Sequence, residues 1–325
     1  MAPAATALLD VRNLTVQFAT PRGIVKAAHD VSFEVDAGRT LGLVGESGSG
    51  KSVTLRALIG LVPSPGRITR GEVLLGGCDL VRSPRSYLQS IRGTDVAMIF
   101  QNPMSSLNPV LSIGDQLTET LRVKVGLSRR AASSRAQELL HRVGIRPAAA
   151  RLRAYPHHFS GGMAQRVMIA LALAANPRLL LADEPTTALD VSIQDQVLSL
   201  LDELRVETGM AMIIVSHDLG VIARACDDVA VMYAGRILER GRVDKVLRQP
   251  RHPYTRMLLA TIPSLRPNVE GRPLAAIAGH LPDLAALPPG CPFAPRCAFA
   301  QTRCGSVSMR LDAEGRAHAS ACPYV

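Results

Sequence analysis

The 325 residues predict an α/β fold with a helical insert and a Cys-rich C-terminal extension. Three observations lead there. A glycine-rich loop, residues 45–52, stands between a short apolar strand and a helical stretch. Strand-like apolar runs and helical periodicity alternate on both sides of a mainly helical segment, about residues 102–177. Four of the six cysteines fall in the last 35 residues.

Residues 8 to 44 read as β structure. Leu14, Val16 and Phe18 alternate, as do Val31, Phe33 and Val35, and Thr40 to Val44 is a short apolar strand ending at Gly45. A helix is expected from Lys51 to about Gly60. Gly71 to Leu75 reads as a strand closed by the Gly76-Gly77 turn, and Val96 to Phe100 as a buried strand. Ile113 to Val125, Arg129 to Val143 and Gly161 to Ala175 carry helical periodicity. Strands are then expected at Leu179–Ala182, Met212–Val215, Asp228–Tyr233 and Arg236–Leu238, with a helix from Ser192 to Glu207. Residues 262 to 290 hold six prolines and little periodicity, which predicts an extended linker or ordered coil.

Composition narrows the class. Apolar residues make up 47%, charged residues 20% and aromatics 3%, which is globular composition. The mean hydropathy of +0.16 raises the question of a membrane. No run reaches the ~18 apolar residues of a spanning helix, and Val167 to Ala182 is broken by Asn176-Pro177-Arg178. The first ten residues lack the basic start of a secretory signal. The expectation is a cytoplasmic chain that does not itself cross a bilayer, with cysteines as thiols or ligands. Its 37 basic and 27 acidic residues leave a net charge of +10, but only four of the basic residues are lysine. An arginine bias of that kind reflects coding composition or an acidic partner, either nucleic acid or an anionic membrane face.

The loop Gly45-Glu46-Ser47-Gly48-Ser49-Gly50-Lys51-Ser52 matches G-x-x-x-x-G-K-[ST] with a strand before it and a helix after it. Glycines let the backbone turn tightly and aim N–H groups at phosphate oxygens, and the helix start adds the positive end of its dipole. Lys51 supplies a charge for the β- and γ-phosphates, and the Ser52 hydroxyl is a Mg²⁺ ligand. This points to a nucleoside triphosphate. A second apolar strand, Leu179 to Ala182, ends in Asp183-Glu184. There Asp183 would orient Mg²⁺ through water, and Glu184 would polarise an attacking water. Ser160-Gly161-Gly162, opening a helix, is either an ordinary cap or a second anion-binding helix start.

Taken in order, Gly45–Ser52, Gln101, Ser160-Gly161-Gly162, Asp183-Glu184, Ala188-Leu189-Asp190 and His217 resemble the ATP-binding-cassette ATPases across roughly residues 8–250. The resemblance implies a P-loop NTPase of ABC type with an antiparallel β subdomain. It also implies two cassettes facing head to tail, each ATP lying between one loop and the other cassette's Ser160-Gly161-Gly162. On that likeness Gln101 senses Mg²⁺ and the γ-phosphate, His217 contacts the γ-phosphate, and Asp190 lies at the dimer seam. Phe18 is a candidate for stacking on adenine. Phe159 and Met163 depart from the family's usual Leu and Gln at the ends of the signature. His157 and His158 read as surface residues.

Arg251-His252-Pro253-Tyr254-Thr255-Arg256 and Asn102 to Pro109 are similar to the peptide-importer branch, which includes dipeptide, oligopeptide and some nickel systems. That branch implies a second homologous ATPase subunit, two transmembrane permease subunits and an external substrate-binding protein. The chain would then act at the cytoplasmic face of the cell membrane. The domain expectation is an ATPase domain over 8–250, with its helical part at 102–177, and a C-terminal extension over 251–325. In the extension Cys291, Cys297, Cys304 and Cys322 are a candidate ligand set for a 4Fe–4S cluster or zinc; two disulfides or four unrelated thiols are the alternatives. The resemblance implies the 4Fe–4S cluster. Cys78 and Cys226 read as buried small residues. The rivals to a peptide-importer ATPase are a soluble cassette ATPase acting on nucleic acid and a nucleotide-binding regulator without turnover. The expectation is no nucleic-acid partner.

Overall fold

The computed structural model describes residues 7–187, 189–261, 279–309, 311 and 318–324. Its strands are β1 Leu9–Thr20, β2 Gly23–Val35, β3 Thr40–Val44, β4 Arg67–Leu75, β5 Cys78–Asp79, β6 Val96–Ile99, β7 Leu179–Asp183, β8 Ala211–Ser216, β9 Asp228–Tyr233, β10 Arg236–Arg242 and β11 His318–Ser320. Its helices are α1 Lys51–Leu58, α2 Arg85–Ile91, α3 Pro103–Ser106, α4 Ile113–Val125, α5 Arg129–Arg142, α6 Ala148–Arg151, α7 Gly161–Ala172, α8 Val191–Thr208, α9 Leu219–Ala225, α10 Val243–Arg248 and α11 Pro253–Ala260. None of them is long and apolar enough to cross a membrane.

The chain forms two compact units, and one comprises residues 7–8, 35–40 and 83–215. Its strands run parallel in the order β8-β7-β6, with Leu179 opposite both Val96 and Ala211. Every residue of β7 and β8 is buried, the mark of a parallel strand covered on both faces. Its longer helices α4, α5, α7 and α8 are those the periodicity predicts. In α4, Ile113, Leu117 and Leu121 fall on one buried stripe; Ser112 caps its start and Gly126, at φ +77°, its end. In α5, Ala132, Ala136, Leu139 and Leu140 face inward behind the cap of Ser128. Arg166 of α7 ties the helices together, donating to the Val143 carbonyl at 2.9 Å and to Gln196 Oε1 at 2.9 Å.

The other unit comprises residues 9–34, 41–82 and 216–325. It holds an antiparallel sheet in the order β2-β1-β4-β5. Leu14, Val16, Val31 and Phe33 are buried as their alternation predicts. It also holds β3 paired in parallel with β9, which continues antiparallel into β10 and β11.

Three differences from the sequence expectation have plain causes. Strand β4 starts at Arg67 rather than Gly71, because Arg67, Thr69 and Arg70 are polar and exposed and the single Ile68 among them makes no run of alternation. Helices α2, α9 and α10 run only six or seven residues, too short for a 3.6-residue period to declare itself. Helix α11 takes Pro253 at its first position and His252 as its cap, so the His-Pro-Tyr-Thr segment starts a helix. Of the expected linker, 262–278 lies outside the described residues; 279–290 has no regular structure.

Candidate functional site

The phosphate loop begins where β3 ends and is pressed against the turn after β9. A Cβ at Gly45 would overlap the Met232 carbonyl oxygen, and one at Gly50, φ +103°, would overlap that of Ala27. The Gly235 N–H donates to the Ser49 carbonyl at 2.9 Å. Ser47 and Gly48 stay exposed at the rim, whereas Lys51 is 5% exposed. The Lys51 ammonium donates to the carbonyls of Gly45 at 2.7 Å and Glu46 at 2.9 Å and to Ser49 Oγ at 3.3 Å. The loop therefore curls around its own cation. Ser52 follows on the first turn of α1, half-buried.

Two contacts on this loop come from residues that sequence reasoning did not assign. The Glu46 N–H donates to Tyr254 Oη at 2.9 Å. Arg296 Nη1 donates to both Glu46 carboxylate oxygens, at 3.1 and 3.0 Å. Tyr254 belongs to the segment similar to the peptide-importer branch, which gave it no role at this loop. Arg296 lies one residue before Cys297, in a stretch whose sequence pattern is set by cysteines.

In the same unit Phe18 is half-buried, and its ring packs on Gly66, where a Cβ would stand 2.5 Å from Cε1. His217 is exposed just beyond β8, and Asp218 caps α9 by accepting from the Gly220 N–H at 2.7 Å.

The other unit supplies the acidic strand end. Asp183 closes β7 at 1% exposure. Glu184 comes next at φ +49°, a left-handed conformation unusual for a residue with a side chain and typical of functional turns. Its N–H donates to the Val215 carbonyl at 3.0 Å, which fixes the backbone. Its Oε2 accepts from Gln101 Nε2 at 2.9 Å and from Thr187 Oγ1 at 2.7 Å. Gln101, expected beside the reaction, is thus brought to Glu184 from the end of β6. Thr187 is a third residue that no sequence pattern marks.

Ser160 caps α7, its Oγ accepting from the Met163 N–H at 3.4 Å. A Cβ on Gly162 would stand 2.8 Å from Ile193 Cγ2, whereas one on Gly161 would meet nothing nearer than Leu189 at 3.9 Å. Gly162 is needed for packing, while Ser160 and Gly161 stay exposed. Asp190 is exposed and caps α8 through the Ile193 N–H at 2.9 Å. Ala188 lies outside the described residues. His157 and His158 are surface residues.

The metal expectation at the C-terminus is corrected. No disulfide joins any of the six cysteines. Cys291, Cys297, Cys304 and Cys322 line a cavity of about 220 Å³ together with Phe293 and His252. Burial pushes the Cys291 thiol up to about 11 and raises that of Cys297. Among the described residues no group of three or more His, Cys, Asp or Glu could hold a metal ion. The 4Fe–4S cluster, and zinc as its alternative, therefore give way to a small thiol-lined apolar cavity. Cys78 and Cys226 are only half-buried.

Comparison with known proteins agrees with the order of the motifs. Residues 28–187 match the ABC transporter family, and residues 238–304 match the C-terminal region of oligopeptide/dipeptide transporters. The chain is 50% identical over 297 residues to the oligopeptide transport ATP-binding protein OppD of Haemophilus influenzae, covering 91% of each. It is 51% identical over 296 residues to OppD of Bacillus subtilis, covering 91% of this chain and 82% of that protein. Among solved structures it is similar to the dimeric post-hydrolysis state of the ATP-binding cassette MJ0796 bound to ADP and Pi. That likeness has a TM-score of 0.66 and 28% identity, and covers 72% of this chain and 98% of the other. The chain therefore belongs to the ABC transporter ATPases, with a cassette fold of the P-loop class and a C-terminal region of the oligopeptide/dipeptide transporter kind.

Proposed function

We propose that this chain is the ATP-hydrolysing subunit of a membrane importer of di- or oligopeptides. It would work at the cytoplasmic face, docked on two permease subunits and paired with a second homologous ATPase, with an external binding protein delivering the peptide. The half-identity to OppD along nine-tenths of the chain supports the cargo class. The dimeric cassette among its structural relatives supports the pairing. The two matched segments support an ATPase domain over 8–250, with its helical part at 102–177, and an extension over 251–325.

The observation that carries the chemistry is the Glu184 carboxylate held by two donors at a strand end. In this reading the amides of residues 45–52 and the Lys51 ammonium bind the phosphates. Ser52, Gln101 and Asp183 offer hard oxygen ligands of the type Mg²⁺ takes; the Gln101 contact with Glu184 uses Nε2 and so leaves its amide oxygen as the ligand atom. Bound there, Mg²⁺ would neutralise phosphate charge. Glu184 orients and polarises the attacking water, and His217 donates to the γ-phosphate. Phe18 stacks on adenine. The exposed Ser160-Gly161 turn, with Asp190 beside the seam, serves the nucleotide of the opposite cassette, which ties closure of the pair to ATP and reopening to hydrolysis.

Glu184→Gln tests the core of this. ATP binding should persist in the variant while phosphate release falls by at least about 100-fold, the scale of a lost general base. Turnover at the wild-type rate would remove Glu184 from the role.

A further inference from the structure

The phosphate loop is held from outside by two residues far along the chain, and the grip converges on Glu46. Its carboxylate is one residue into a loop that must receive a polyanion, where an unpaired negative charge opposes binding. Arg296 meets that charge with both Glu46 oxygens within 3.1 Å, and the guanidinium side chain is only 6% exposed, so solvent screens the pair little. Arg296 is itself fixed. Its Nη1 also donates to Tyr233 Oη at 3.2 Å, and its guanidinium carbon lies 5.8 Å from the Tyr233 ring centroid. Tyr233, Tyr254 and Phe293 are fully buried and pack ring against ring at 4.7 to 5.4 Å. From that cluster the Tyr254 hydroxyl accepts the Glu46 N–H. The Glu46 carbonyl in turn accepts from the Lys51 ammonium. Side chain, amide and carbonyl of Glu46 are therefore each committed, and the last of them sets where Lys51 stands.

We propose that Arg296 and Tyr254 are positioning residues for ATP: Arg296 cancels the Glu46 charge at the phosphate loop, and Tyr254 fixes the Glu46 backbone that orients Lys51. The C-terminal extension would thereby tune nucleotide affinity directly. This rests on the reading of residues 45–52 as the ATP site.

Equilibrium binding of a fluorescent ATP analogue with Mg²⁺ to the full chain tests it. Arg296→Met should weaken binding about tenfold, because it leaves a partly buried carboxylate without its partner. In a Glu46→Gln background the same change should cost less than about twofold, because there is no charge left to cancel. Arg296→Lys, which keeps the charge and loses the planar guanidinium over the Tyr233 ring, should recover part of the affinity and serves if the methionine variant does not fold. Tyr254→Phe keeps the ring packing and should weaken binding about threefold through one lost hydrogen bond. Wild-type affinity in Arg296→Met, or a loss that persists undiminished with Glu46→Gln, would overturn the proposal, the second by exposing a purely structural role. Lys51→Ala is the control. If that variant binds ATP as the wild type does, it is the location of the ATP site that fails.

Discussion

Gln101 Nε2 donates to Glu184 Oε2 across 2.9 Å, joining residues 83 positions apart in sequence. The same oxygen accepts from Thr187 Oγ1 at 2.7 Å. A carboxylate that swings loses its aim, and two donors on one oxygen hold Glu184 in a single orientation.

Thr187→Val should therefore lower kcat about tenfold with KM nearly unchanged, the effect of one charge-assisted hydrogen bond worth about 1.4 kcal/mol. Thr187→Ser should restore most of the rate. Steady-state phosphate release against ATP concentration separates the two parameters. An unchanged kcat in the valine variant would show that Gln101 alone suffices.

Gly161 and Gly162 are adjacent yet should respond oppositely to alanine. At Gly162 the new methyl would stand 2.8 Å from Ile193 Cγ2, so thermal stability should fall by about 1–3 kcal/mol, as for overpacking. At Gly161 its nearest neighbour would be Leu189 at 3.9 Å, so the melting temperature should hold while ATP-driven pairing of cassettes weakens. Calorimetry together with size-exclusion chromatography in ATP reads both. Wild-type pairing in Gly161→Ala would detach that turn from the partner's nucleotide.

His29 predicts a pH dependence of stability. Lys26 Nζ at 3.4 Å and Arg236 Nη2 at 3.2 Å both point at its Nε2. Neither cation can accept, so Nε2 is the acceptor of a neutral ring. Burial and then the charges of Arg236 and Lys26 push the His29 pKa down from 6.5 to about 4, against the weaker pull of Asp30 at 3.7 Å. Between those values the unfolded chain binds a proton that the folded chain does not. The stabilisation is complete above about pH 6.5 and is lost as pH falls toward 4. Allowing for solvent screening it amounts to about 1–2 kcal/mol. His29→Gln should flatten urea-unfolding stability across this window. A slope identical to wild type would assign the dependence to other groups.

Much of the architecture was legible because long elements repeat their signal. Helices α4 and α5 show three or more turns of periodicity and came out within a residue of their ends. The polar half of β4 and the short helices α2, α9 and α10 did not, since neighbours rather than internal pattern order them. In the site, glycine spacing exposed the loop and a strand end exposed Asp183-Glu184. Thr187 and Arg296 lay in plain view without a pattern to mark them.

Local chemistry, written in neighbouring residues, was enough by itself to point to a nucleoside triphosphate, and the order of the motifs carried the resemblance to the ATP-binding-cassette ATPases. A loop, a strand end and a cap are each complete within a few positions. Only the tertiary structure decided which distant side chains discipline that chemistry. Arg296 and Tyr254 reach Glu46 across 250 and 208 positions, and four clustered cysteines become the lining of an apolar cavity. Charge pairing and burial depend on separation in space, which the folded chain sets and residue order does not state.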